Sequence, residues 1–141
     1  MSEQSLVEAA KALIIAYNEK DWDATRAAVA AGFVYDEVGT QRRMQGADEF
    51  LAGWRGWAAA LPDSQAEFHN ALVSGNTVVL EVTWRGTHGG PLQTPGGEIA
   101  ATGRRFEVRA CQIIEIADGK AQAMRHYFDM TTLLRQLGVA S

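Results

Sequence analysis

The 141-residue sequence has a single cysteine and three prolines. Cys111 alone cannot close an internal disulfide, and no second thiolate is at hand for a structural zinc site, so it reads as a small buried hydrophobe. Basic charge is also scarce: 13 Lys and Arg face 17 Asp and Glu, a formal net charge of −4. The adjacent basic pairs are Arg42-Arg43 and Arg104-Arg105 alone, which leaves no electrostatic footprint for nucleic acid. No apolar run approaches the roughly 18 residues that span a bilayer. The opening Met-Ser-Glu-Gln lacks a basic region followed by an apolar core, so a cytoplasmic protein without a membrane partner is expected. A Gly-rich phosphate loop between strand and helix and a Ser nucleophile elbow are both missing, which leaves nucleotide-dependent and acyl-serine chemistry without support. The three histidines and the acids form no metal-ligand spacing, and no metal is expected.

What is present is the composition of a globular protein, 47% hydrophobic and 21% charged. One core and a single domain over 1–141 are expected. Leu6, Ala10, Leu13, Ile14 and Tyr17 recur at helical spacing, and Ser5 with Glu8 three residues later reads as a capping box. Asp21 caps a second predicted helix from Trp22 to about Ala31, with Gly32 as its left-handed stop. Phe33-Val34-Tyr35 is a short predicted strand. A third helix follows Gly46-Ala47-Asp48, carries Phe50, Leu51, Trp54, Trp57 and Leu61 on one stripe, and stops at Pro62.

The period then changes to two. Strands are predicted at 66–73, 77–87, 104–117 and 121–129, with turns at Ser74-Gly75-Asn76 and Asp118-Gly119, as an antiparallel meander. The Gly and Pro content of 89–97 predicts an irregular loop at the sheet rim. Leu133, Leu134 and Leu137 mark a last helix ending at Gly138. Helices covering one side of a strongly curved antiparallel sheet make a cone-shaped α+β fold with a pocket inside it.

Strand register then nominates the site. With Asp118-Gly119 as a two-residue turn, Gln112 faces Arg125, Ala110 faces Tyr127 and Val108 faces Asp129. This arrangement sets Gln112, Arg125, Tyr127 and Asp129 in an apolar field with Val108 and Ala110. A single bulge would exchange the faces beyond it. In apolar surroundings Asp129 would have a raised pKa suited to moving protons, or else it caps the last helix. Tyr127 and Gln112 would donate hydrogen bonds to a carbonyl oxygen gaining charge, or satisfy one another in the core. Arg125 pairs with Asp129 or a ligand, or spans the surface. His88 continues the inward stripe of Val78, Leu80, Val82 and Trp84, as a proton-exchanging group or as a rim histidine bonded to its loop. Tyr17, Tyr35, Trp54 and Trp57 are candidate pocket walls. The other face, with His126, Ile113, Met124 and Phe128, would be the outer one, and its apolar area predicts a homodimer that sedimentation at micromolar concentration would test.

Arg85-Gly86-Thr87-His88-Gly89-Gly90-Pro91, Thr102-Gly103-Arg104, Ile116-Ala117-Asp118-Gly119-Lys120, Tyr127-Phe128-Asp129 and Leu134-Arg135-Gln136-Leu137-Gly138 together resemble the SnoaL-like polyketide cyclase family of the NTF2-like superfamily. The resemblance implies a cone-shaped fold, a dimer through the outer sheet face, no cofactor and, in antibiotic-pathway members, an Asp at the position of Asp129 that serves as acid/base in an aldol ring closure. Two positions depart from the pattern: Gln112 stands where the best-known cyclase has His, and Ala110 where it has Gln. The expected activity is cofactor-independent proton transfer on a small apolar carbonyl compound, leading to ring closure or isomerisation. A non-catalytic carrier with the same pocket is the alternative. Epoxide hydrolysis ranks last, because Arg109-Ala110-Cys111 lacks the Asp of the Arg-x-Asp triplet usual for that activity.

Overall fold

The computed structural model describes residues 2–94 and 96–139. Helix α1 (Glu3–Asn18) starts one turn earlier than the Ser5 box predicts. Ser2 is its cap, accepting from the Ser5 amide at 3.0 Å, with Glu3 in the first turn where a negative charge meets the helix dipole. Helix α2 (Trp22–Ala27) is capped by Asp21 as expected, but it stops well short of Gly32. Val29 is buried and pairs with Ala121, so tertiary pairing turns this segment into strand β1 (Val29–Glu37), with Gly32 in an exposed irregular stretch of it. A 3-10 turn at Val38–Thr40 leads to β2 (Arg42–Gln45), which returns antiparallel to β1. Helix α3 (Ala47–Ala60) buries Phe50, Leu51 and Trp54.

The meander comprises β3 (Gln65–Ser74), β4 (Thr77–Thr87), β7 (Arg105–Ala117) and β8 (Lys120–Phe128), each antiparallel to the next. Between β4 and β7 the Gly- and Pro-containing segment is not irregular throughout: β5 (Leu92–Thr94) and β6 (Gly97–Ile99) form a small hairpin, anchored by buried Leu92. Helix α4 (Met130–Gln136) closes the described chain. The main sheet has the order β2-β1-β8-β7-β4-β3, and β1 lies parallel to β8. A parallel pair joins distant segments, and this one ties the N-terminal third of the chain to its end. Helices lie on one face of this curved sheet, whose inward residues include Leu80, Val82, Ile114 and Ile116, all nearly or wholly buried. Among the described residues no helix is long and apolar enough to cross a membrane.

The hairpin that carries the predicted site departs from ideal register in one place. Asp118 and Gly119 have φ of 53° and 74°, as a tight two-residue turn requires, and Ile116 pairs with Ala121 as expected. One step later Glu115 pairs with Ala123, so Gln122 is the extra residue of a bulge. Beyond it Gln112 faces His126, Cys111 faces Tyr127 and Ala110 faces Phe128. Met124, His126 and Phe128 therefore point inward, and Arg125, Tyr127 and Asp129 do not. The hydrophobic effect explains this parity, since Met124 and Phe128 gain more from burial than an arginine and an aspartate would.

Candidate functional site

The pocket, about 60 Å3, opens between α1, α3 and the inner sheet face, and its wall is almost wholly apolar. Tyr17, Tyr35, Trp54, Trp57, Trp84 and Val108, all expected in or near a pocket, line it. Edge-to-face contacts set the aromatic walls: Tyr17 lies 5.0 Å from Trp54 and 5.1 Å from Trp84, ring to ring, and Tyr35 lies 5.8 Å from Trp54.

Other expected site residues lie elsewhere. Asp129 is exposed and caps α4, with Oδ1 accepting from the Thr132 amide at 3.1 Å and Oδ2 from the Thr132 hydroxyl at 2.7 Å. Those hydrogen bonds hold its carboxyl below the ordinary range, where apolar surroundings would have raised it. Tyr127 is 42% exposed, and Arg125 reaches Glu115 at 3.3 Å on the outer face. His88 is fully buried away from the pocket lining. Its Nδ1 accepts from the Thr102 amide at 3.2 Å and lies 2.9 Å from the Thr102 hydroxyl, so it braces its loop. Ala110 is buried and faces inward without lining the pocket.

Gln112 does face inward, and it leads to a residue the ideal register had placed outside. His126 is buried on the pocket floor, with Nδ1 2.7 Å from the Tyr35 hydroxyl and Nε2 3.2 Å from the Trp84 indole N–H. An indole nitrogen can only donate, so Nε2 accepts and the imidazole proton sits on Nδ1. The Gln112 amide N–H at 3.4 Å points to the same nitrogen and reinforces that tautomer. The Nδ1–H therefore donates to the Tyr35 oxygen, leaving the Tyr35 hydrogen available to another acceptor. Burial pushes the His126 pKa down to about 4, against an opposing pull from the Glu37 charge, so the ring is neutral at pH 7. Burial also raises the Tyr35 pKa well above its usual value, and nearby Glu37 raises it further, which keeps the hydroxyl protonated.

Glu37 is the second residue missed in the sequence, because the predicted strand ended at Tyr35. Inward alternation runs on through Phe33, Tyr35 and Glu37, and all three are buried. Glu37 pairs across the turn with Arg42, whose Nη2 and Nε reach Oε1 at 2.8 and 3.2 Å; Thr40 also donates to Oε1. Oε2 accepts from the Trp57 indole at 2.9 Å. Burial works to raise the Glu37 pKa, but these hydrogen bonds and the Arg42 charge together outweigh it and hold the carboxyl below its usual range. The pocket thus contains a fixed carboxylate. Ser64, the third missed residue, lines the pocket with its hydroxyl 2.6 Å from that of Tyr17. Among the described residues no three His, Cys, Asp or Glu side chains converge as a metal site requires.

The family profile described as SnoaL-like polyketide cyclase matches residues 7–137. No curated protein gives a significant match. Among solved structures, TsrD from Streptomyces laurentii is similar at 26% identity over 99% of each chain, with a TM-score of 0.84. IdmH from Streptomyces antibioticus is similar at 25% identity over 95% of this chain and 99% of its own, with a TM-score of 0.80. A Catenulispora acidiphila protein with a ketosteroid isomerase-like fold, solved with trimethylamine, shares 17% identity over 94% of each chain at a TM-score of 0.80, a likeness of fold alone.

Proposed function

The chain belongs to the SnoaL-like polyketide cyclase family, and on that premise we propose that it moves a proton at the carbon next to a carbonyl, with Glu37 as the base and Tyr35 as the oxyanion donor. The observation that carries this reading is the meeting, in one apolar pocket, of an ionised carboxylate and a tyrosine hydroxyl whose oxygen already accepts from His126. Glu37 Oε2 takes the α-proton. The electron pair of the broken C–H bond becomes the enolate C=C bond and the carbonyl π pair moves onto its oxygen, which accepts a hydrogen bond from Tyr35. Nδ1–H donation from His126 makes that hydroxyl a stronger donor. The enolate carbon then attacks a second carbonyl, closing a ring whose new alkoxide takes the proton back from Glu37, or another carbon of the enolate takes that proton from Glu37. A carboxylate held below its usual range is a weak base, and it suits a carbon acid flanked by two carbonyls better than a simple ketone.

The experiment is deuterium wash-in at the α-carbon of cyclic β-keto esters, followed by NMR. The expected outcome is catalysed exchange that falls about a hundredfold or more in Glu37→Gln and in Tyr35→Phe, in the range of a lost general base or oxyanion donor. A folded Glu37→Gln protein that exchanges as fast as the parent sinks this assignment.

The expected homodimer has a different basis from the one read in the sequence. Met124 and Phe128 are turned inward, and the outer face instead offers Ile113 with exposed Leu72 and Tyr127 as its apolar area.

A further inference from the structure

The hydroxyls of Tyr17 and Ser64 hold two hydrogens between them, and the 2.6 Å bond that joins them uses one. Neither oxygen has another partner among the described residues, so whichever hydroxyl donates to the other, one O–H is left without a protein acceptor. Both side chains are almost fully buried, Tyr17 at 3% and Ser64 at 1% exposure, and both line the pocket. Nearby Lys20 cannot absorb the spare hydrogen, because an ammonium only donates. Its Nζ donates to the Ser64 backbone oxygen and stands 4.3 Å from the Tyr17 ring centre. Trp54 and Trp84 brace the Tyr17 ring edge to face. The result is a rigid buried donor, separate from the Tyr35 and Glu37 groups and carried by two residues that line the same cavity.

We propose that Tyr17 and Ser64 form a second oxygen-binding subsite, so that the pocket takes a small molecule with two acceptor oxygens, of which a diketone is the simplest case. This rests on the reading of Tyr35 as the first carbonyl donor. It narrows the substrate class, because an unsatisfied buried donor penalises any ligand that leaves it unpaired. The spare donor also has a built-in redundancy. With Ser64 removed, the Tyr17 hydroxyl keeps its own hydrogen for the ligand, and with the Tyr17 hydroxyl removed, Ser64 does the same.

The test is calorimetric binding of hexane-2,5-dione against hexan-2-one and of pentane-2,4-dione against pentan-2-one. In the parent, at least one dione should bind about tenfold more tightly than its mono-ketone, the worth of one neutral hydrogen bond. Ser64→Ala and Tyr17→Phe should each keep most of that gap, and the double variant, its fold checked by near-UV circular dichroism, should lose it. No gap for either dione in the parent, or a gap that survives in the folded double variant, overturns the proposal. A second measurement needs no variant: the infrared spectrum of the more tightly bound dione on the parent should show both carbonyl bands shifted to lower frequency, and one unshifted band overturns it. Tyr35→Phe should weaken dione and mono-ketone alike and leave their ratio unchanged. If it weakens neither while the gap persists, the Tyr35 reading fails and the subsite stands.

Discussion

Two carboxylates, Glu37 and Asp129, are both held below their ordinary pKa, and they reach that state in opposite surroundings. Asp129 sits in water at the start of α4, where two hydrogen bonds from Thr132 are the leading cause. Glu37 has no exposed surface, and for it burial is the largest single influence, in the opposite direction, overcome only by Thr40, Arg42 and Trp57 acting together. The same direction of shift therefore carries different content. At Asp129 it reports local capping that would exist in an isolated turn. At Glu37 it reports a charge that the tertiary structure has enclosed and neutralised, which is the kind of group a pocket can use.

The strongest way to break this contrast is to remove the enclosed carboxylate. Glu37→Ala leaves the Trp57 indole N–H without its acceptor and Arg42 without its anion, and should cost about 3–4 kcal/mol, tempered by the exposure of Arg42. Urea denaturation at pH 7 reads this, and a loss under 1 kcal/mol would mean that the pair is not enclosed as described.

A slightly smaller effect should appear on acidification, through His126. Its folded pKa, about 4, lies below the ordinary imidazole value of 6.5, so between those values the unfolded chain binds the extra proton and the folded one does not. Stability from this group is thus complete above pH 6.5 and is lost as pH falls toward 4, by on the order of 3 kcal/mol. Glu37 contributes in a separate, more acidic window: its folded pKa is lowered from 4.5, so its share is present above that value and lost as pH falls through the folded one. Denaturation curves at pH 7, 5.5 and 4.5 should show the decline in the parent and a flatter profile in His126→Gln. An unchanged slope in that variant would count against the buried neutral imidazole.

The smallest effect is expected at the exposed carboxylate. Asp129→Asn should leave thermal stability and α-carbon exchange at parent levels, since Asn caps helices as well as Asp does; Asp129→Ala should lower the melting temperature by a few degrees and leave exchange intact. Exchange abolished in a folded Asp129→Asn protein would reverse the assignment of roles between the two carboxylates.

Most long elements were legible because their signals are local: helical stripes for α1, α3 and α4, alternation for the four strands of the meander, and Asp118-Gly119 for the tight turn. The aromatic walls were legible for the same reason, since Trp54 and Trp57 lie three apart on one helix and Trp84 continues a buried strand face. What was hidden depends on distant parts of the chain. The bulge falls on Gln122, a residue with no special backbone preference, so nothing in the turn announced that His126 would exchange places with Arg125 and Tyr127. A check was nonetheless available in the alternation of β8 itself, where Met124 and Phe128 are more apolar than the residues between them. Glu37 was hidden because an acid ending an apolar strand usually marks the edge of burial, and only the Arg42, Thr40 and Trp57 contacts make it a core residue. Ser64 sits in the turn after α3, and its pairing with Tyr17 spans 47 positions.

The extra residue in β8 also makes the pocket's chemistry a matter of parity. Every side chain after Gln122 owes its face to an odd or even count of residues from the turn, so a lineage that gained or lost one position near this corner would exchange histidine for tyrosine and arginine at the pocket floor in a single step. Point substitution explores such a site one side chain at a time. A length change at a sheet corner swaps a whole set together and leaves the backbone path nearly as it was, which makes this corner a place where relatives of one shape can part company in reaction.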